Sequence, residues 1–187
     1  MPNLYIIAGC NGAGKTTASF TVLPEMLNCK EFVNADEIAR GLSPFQPEKV
    51  PVEAGKIMLR RVDELIKQQV DFAFETTLST LGLKDIIAKA KENDYSVSLV
   101  YIYLNSPELA IERVKKRVAE GGHNIPEETI RRRYNKGIEN LFGRYIQLSD
   151  FWMIVDNSES RLMIIAEGKV NKESIIYNME IWNIIKK

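Results

Sequence analysis

Residues 6–17, IIAGCNGAGKTT, restrict the fold more than any other stretch of the chain. An apolar run leads directly into Gly9-x-x-x-x-Gly14-Lys15-Thr16. This is the phosphate-binding loop pattern in full, set between strand-like and helix-like sequence. The glycines let backbone N–H groups turn inward and approach phosphate oxygens. The first turn of the following helix adds its unpaired N–H groups and the positive end of its dipole. Lys15 suits the β- and γ-phosphates, and the Thr16 hydroxyl suits Mg²⁺. Gly9, Asn11, Gly12, Ala13, Gly14, Lys15, Thr16 and Thr17 are therefore the candidate ATP contacts.

A strand that feeds such a loop belongs in a parallel sheet, and the rest of the chain agrees. Residues 4–9, 31–35, 71–77, 97–104 and 152–157 are short runs rich in branched and aromatic residues. Most are nearly continuous apolar runs, as expected of strands covered on both faces. Helical patterns fall between them, at about 15–26, 48–69, 81–93, 107–120 and 127–148. Ser106 and Pro107 mark one helix start, and Pro126 with Glu127 and Glu128 marks the next. The tail, from about residue 162, reads as a last strand or hairpin followed by a closing helix. The expectation is an α/β fold of the P-loop kinase type. It has a central parallel sheet of about five strands flanked by helices, in a single domain over 1–187. Trp152, Tyr177 and Trp182 read as packing aromatics.

Composition removes several classes. Net charge is zero, with 25 basic and 25 acidic residues, so the whole chain has no electrostatic pull toward nucleic acid or anionic lipid. Cys10 and Cys29 form neither a disulfide framework nor a metal-ligand spacing. No apolar stretch approaches the ~20 residues that span a bilayer, and nothing at the N-terminus reads as a signal peptide. The expected location is the cytoplasm.

In an open parallel sheet the ligand lies beyond the carboxyl ends of the strands. The second strand run ends in Asn34, Asp36 and Glu37, and the third in Glu75, Thr76 and Thr77. A phosphoryl transfer needs a base for the acceptor hydroxyl and a carboxylate that positions metal. Asp36 suits the first role and Glu75 the second. Arg40, Ser43, Gln46, Thr77 and Ser79 are candidate acceptor contacts, and Asn157 is a candidate contact to the adenine.

A second cluster spans residues 111–134. Arg113 and Arg117 share one helix face, Gly121 and Gly122 break the helix, and Arg131, Arg132 and Arg133 follow the restart. A helix, a flexible break and an arginine-rich helix make a lid that would exclude water and bring guanidinium groups to the transferring phosphoryl group. Arg117 and Arg132 are the two chosen as catalytic, with His123, the one histidine, as a lid or structural residue.

Together, GCNGAGKTT, FVNADEIARGLSPF, FAFETTLS, RVAEGGHNIPEETIRRRY and FWMIVDNS resemble the zeta-toxin family of P-loop kinases. The likeness is to its compact bacterial branch, often labelled "predicted ABC-type ATPase", although no LSGGQ-like signature is present. The resemblance implies a kinase that uses ATP and Mg²⁺ to phosphorylate a sugar hydroxyl of a nucleotide sugar such as UDP-N-acetylglucosamine. It makes Lys15 and Thr16 the ATP–Mg²⁺ residues, Asp36 the base, and Glu75 a substrate- or metal-side acid. Arg117 and Arg132 become the lid arginines, and an antitoxin protein becomes a partner. Two other classes stay open. One is a nucleotide-dependent switch acting on a protein partner; the other is a polynucleotide 5′-kinase, which zero net charge disfavours.

Overall fold

The computed structural model describes residues 1–122 and 124–186. Seven strands form one sheet in the order β2-β3-β1-β4-β5-β6-β7. Five of them run parallel: β1 (Asn3–Ala8), β2 (Glu31–Val33), β3 (Phe72–Thr76), β4 (Ser96–Tyr103) and β5 (Phe151–Asp156). These are the five strand runs expected from sequence. The sheet is larger than expected because the tail adds two antiparallel strands, β6 (Met163–Lys169) and β7 (Ile175–Ile176), on the β5 edge.

β1 lies at the centre between β3 and β4, which explains its apolar run: Leu4, Ile6 and Ala8 are wholly buried and Ile7 nearly so. The loop after it opens where the chain switches from one side of the sheet to the other, the usual ligand crevice of such sheets. Helix α1 (Lys15–Met26) starts at the lysine of the loop itself.

One helix was not legible. The strand expected over 31–35 stops at Val33, and α2 (Ala35–Leu42) begins two residues later. Asn34 causes the turn, since its side-chain Oδ1 accepts from the N–H groups of Asp36 and Glu37. Ala35, Ile38, Ala39 and Leu42 do recur at helical spacing, but the run is eight residues long and its first residue falls within the expected strand. After a short 3₁₀ turn, α3 (Pro51–Gln68) buries Ala54, Val62, Leu65 and Ile66 on one face. Helix α4 (Leu83–Glu92) follows β3, and α5 (Pro107–Ala119), capped by Ser106, follows β4. Next, α6 (Glu127–Asn140) runs through a π-helical turn at Leu141–Tyr145 into the short α7 (Ile146–Leu148).

The tail packs through stacked aromatics. Trp152 of β5 and Trp182 of α8 (Met179–Ile185) lie 5.9 Å apart and nearly parallel. The expectation for Tyr177 is corrected: it is 57% exposed and its hydroxyl donates to Glu167 at 3.0 Å, because it follows the two-residue edge strand β7, whose Ile175 is itself exposed. No helix among the described residues is long and apolar enough to cross a membrane.

Candidate active site

The loop between β1 and α1 has the geometry its glycines require. Gly14 holds a φ of +89°, and a Cβ there would come within 2.7 Å of the Asn157 amide nitrogen. Gly9 is crowded differently: a Cβ would stand 2.4 Å from the Ile102 carbonyl oxygen of β4. Backbone can lie this close to neighbouring strands only without side chains. Asn157, at the end of β5, donates its amide to the Ala13 carbonyl at 2.8 Å and so braces the loop from the next strand but one.

Lys15 is buried, and its ammonium donates to the Cys10 carbonyl at 3.0 Å. In the first turn of α1, the Thr16 hydroxyl donates to Glu75 Oε2 at 2.9 Å. Glu75 comes from the end of β3, so the loop and the neighbouring strand meet at the site expected for a metal. Thr17 points outward and is exposed. Burial pushes the Cys10 thiol up to about 11, which leaves it an inert apolar filler of the loop at neutral pH.

Beyond Lys15 a crevice of about 800 Å³ opens toward β2 and β3. Asp36 from the first turn of α2, Glu75 and Thr77 from the end of β3, Arg133 from α6, and Lys15 all line it. Arg40 does not. It is exposed on α2 and pairs with Glu37 at 3.3 Å. The sequence-level choice of Arg132 also needs revision in its neighbourhood. Arg132 is exposed, whereas Arg133 is half-buried, lines the crevice, and donates to Asn11 Oδ1 of the loop at 3.1 Å. The signal was present: Arg133 lies three residues after buried Ile130 and four before buried Gly137, on the inner stripe of α6. Burial disfavours the Arg133 charge, while Asp36 across the crevice supports it.

Arg113 flanks the loop on the other side. It donates to the Ser158 carbonyl at 3.1 Å, and its Cβ is 3.4 Å from where a Gly12 side chain would begin. Arg117, half-buried on the same helix, packs against Gly122, whose N–H donates to the Arg117 carbonyl at 2.8 Å and ends α5. His123 lies outside the described residues.

Glu75 has an unfavourable position for a charge. Burial raises its pKa above the ordinary 4.5; Lys15 and the Thr16 hydroxyl lower it, and Asp36 and Glu37 raise it further. A carboxyl whose folded pKa lies above its unfolded value loses stability as pH rises from the ordinary value through the folded one. Glu75→Gln keeps an oxygen acceptor for Thr16 and removes that cost. The variant is expected to melt a few degrees higher than the parent at pH 7, about 2–4 °C for each ~1 kcal/mol gained. The gain should vanish near pH 4. Thermal melts across that range test this, and an unchanged or lower melting temperature at pH 7 refutes it.

The loop after β3 forms one wall of the crevice, and α6 with its π-helical turn holds it in place. Asn140, buried, donates its amide to the Leu78 carbonyl at 2.7 Å, and the Tyr145 hydroxyl donates to the Thr80 carbonyl at 2.8 Å. Leu78 itself is buried at a φ of +55°, in the sparsely populated left-handed region. Sequence reasoning missed Asn140 because a lone asparagine near a helix end carries no pattern. Asn140→Ala should leave the Leu78 carbonyl unpaired and cost about 1–3 kcal/mol. Chemical denaturation reads this directly, and a loss below ~0.5 kcal/mol would refute the bracing role.

Fold and site define the class: the P-loop kinase fold, with the phosphate-binding loop on one side and the crevice lined by Asp36 and Glu75 on the other. The chain belongs to the zeta toxin family, whose model matches residues 1–181. It is 35% identical over 127 residues, 67% of this chain and 88% of the relative, to an uncharacterized protein of Haemophilus influenzae. Among solved structures it is similar to AvrRxo1-ORF1:-ORF2 with ATP, at a TM-score of 0.80 and 19% identity. All of this chain is covered there but 64% of that one, so it spans just under two thirds of that relative's length. It is also similar to the PezAT chromosomal toxin–antitoxin system of Streptococcus pneumoniae, with a TM-score of 0.68, 20% identity, 92% of this chain and 74% of that one.

Proposed function

We propose that the chain transfers the γ-phosphoryl group of ATP to a hydroxyl of a small molecule held in the crevice. One observation carries this reading: Lys15, Asp36, Glu75 and Arg133, from four separate segments, line a single crevice at the mouth of the phosphate-binding loop. The loop N–H groups and Lys15 take the phosphates, with Asn11, Gly12 and Gly14 in the loop backbone and Asn157 behind it. Thr16 and Glu75 offer oxygen donors, the ligand chemistry Mg²⁺ prefers, and a site of one or two protein oxygens suits an ion held mainly by phosphates. Bound there, Mg²⁺ would neutralise charge across the phosphates. Asp36 accepts the proton of the acceptor hydroxyl, and Thr77 with its partner Ser79, 2.8 Å away, orients it. Arg133, Arg113 and Arg117, on the α5–α6 lid, bring positive charge to the transferring group. Arg132, on the outer side of α6, would reach it only after rearrangement of that lid.

The family resemblance supplies a nucleotide sugar as acceptor, and an antitoxin that covers the ATP site or lid as partner. An ATP supply puts the reaction in the cytoplasm. The test is mass spectrometry of purified protein with Mg-ATP and a panel of sugars, nucleotide sugars, nucleosides and short oligonucleotides. Lys15→Ala and Asp36→Asn run alongside. A product heavier by one phosphate, lost in both variants, establishes the kinase. No product from protein that binds Mg-ATP would move the reading to a nucleotide-dependent switch.

A further inference from the structure

Residues 10–13 close a turn inside the phosphate-binding loop, with the Ala13 N–H donating to the Cys10 carbonyl at 3.2 Å. Gly12 holds its third position at a φ of +80°, and a Cβ there would stand 2.7 Å from the Ala110 carbonyl of α5. The turn is therefore seated directly on the first lid helix. The Cys10 carbonyl also accepts from the Lys15 ammonium, so one turn places both Lys15 and Asn11. Asn11 is 5% exposed and lines the crevice beside Lys15.

The second lid helix, α6, is fixed along its inner stripe. Ile130 is buried, and the Tyr134 hydroxyl donates to the Leu104 carbonyl at 2.7 Å. A Cβ on Gly137 would lie 2.8 Å from the Thr77 carbonyl, and Asn140 holds Leu78. These contacts set the backbone of Arg133 but leave the end of its long side chain free to choose among many rotamers. The hydrogen bond to Asn11 Oδ1 at 3.1 Å, across 122 residues of sequence, settles that choice. Asp36 favours the same charge from across the crevice, but among the described residues Asn11 is the group that accepts from the guanidinium.

The chemistry of the holder matters. A carboxylate would grip the guanidinium more strongly but would neutralise it at short range. An amide oxygen is uncharged, so it orients one N–H and leaves the other donors and the whole charge available to phosphate oxygens.

We infer that the Asn11 side chain is a positioning residue for phosphoryl transfer, docking Arg133 of the lid onto the phosphate-binding loop beside Lys15. This rests on the kinase reading and adds to it a link between loop and lid. Arg133 is then in place before the nucleotide arrives, and its ordering is not charged to the transfer step. If Asn11 only shaped the turn, its loss would weaken nucleotide binding and melting temperature together, whatever stood at residue 133.

The test is a double-mutant cycle of Asn11→Ala, Arg133→Ala and both. Single-turnover transfer from Mg-ATP is read with the panel of acceptors and with water alone. Calorimetry measures Mg-AMPPNP, and Mg-ADP with aluminium fluoride as a mimic of the transferring phosphoryl group. Arg133→Ala should slow transfer by about 10³-fold, and Asn11→Ala by about 10–10²-fold. Both should keep Mg-AMPPNP affinity within about threefold of the parent and an unchanged melting temperature. Asn11→Ala should bind the aluminium fluoride complex about 10-fold less tightly. The double variant should be no slower than Arg133→Ala, within about twofold, because the two residues act as one unit. Effects that multiply, a loss of Mg-AMPPNP affinity equal to the loss of rate, or an Asn11→Ala rate within about threefold of the parent overturns the inference. The kinase reading fails separately. Lys15-dependent transfer that is indifferent to Asn11 would retain the kinase and discard the inference. Binding of Mg-AMPPNP with no Lys15-dependent transfer to any acceptor or to water would discard both.

Discussion

Lys15→Ala is expected to lower phosphoryl transfer by about 10³-fold while leaving the fold intact. The Lys15 ammonium lies in the phosphate-binding loop itself, and the residue is 7% exposed. In a site this closed to water, loss of one charged donor to the transferring group costs the reaction about 10²–10³-fold or more. The effect on folding should be smaller. The ammonium donates to the Cys10 carbonyl and its charge supports the buried Glu75 carboxylate, so alanine removes one desolvated charge and takes that support from another. The melting temperature should fall by no more than a few degrees at pH 7 and recover toward the parent as falling pH protonates Glu75. Lys15→Arg should fail to rescue, because a planar fork does not fit a space shaped for a point charge. Single-turnover rates with Mg-ATP, read beside thermal melts, test both halves. A rate within tenfold of the parent would mean that the loop serves binding alone.

Asp36→Asn is expected to cut transfer by about 10²–10⁴-fold, the range for loss of a general base, with ATP affinity within about twofold of the parent. The fold gives a reason for that split. Asp36 sits on the acceptor wall and not in the loop, and the helix it opens is capped by Asn34 through backbone N–H groups that the substitution does not touch. The one neighbour that loses support is Arg133, whose charge Asp36 favours across the crevice. Equal loss of ATP affinity and rate would therefore point to that arginine and not to proton transfer. Retention of nucleotide-dependent partner binding with no catalysis to lose would favour a switch.

The parallel sheet was legible because strands buried on both faces must be apolar throughout, and five such runs are visible in the chain. The loop was legible because so few residue types tolerate its backbone. Glu75 and Asp36 could be named from their position after strand runs, since the sheet geometry sends such residues to the carboxyl edge. Arg133, Asn140 and the bracing role of Asn157 belong to another category. Arg132 and Arg133 are adjacent and chemically identical, and the choice between them is made by the rotation of α6 against the sheet. Asn140 matters because a carbonyl 62 residues away needs a donor.

By itself, then, the chain determined what is local and periodic. That covers the strand–loop–helix that takes phosphate, the alternation that makes a parallel sheet, and the acids at the strand ends. These follow from backbone sterics and from the spacing of apolar residues, which act over a few positions. The tertiary structure decided which charged side chains meet in the crevice, which arginine faces inward, and what holds the wall after β3. Those depend on where the β5 end, the α3 face and the α6 stripe come to rest against one another. Burial and charge in such a crevice are set by neighbours distant in sequence, and no short stretch of residues encodes them.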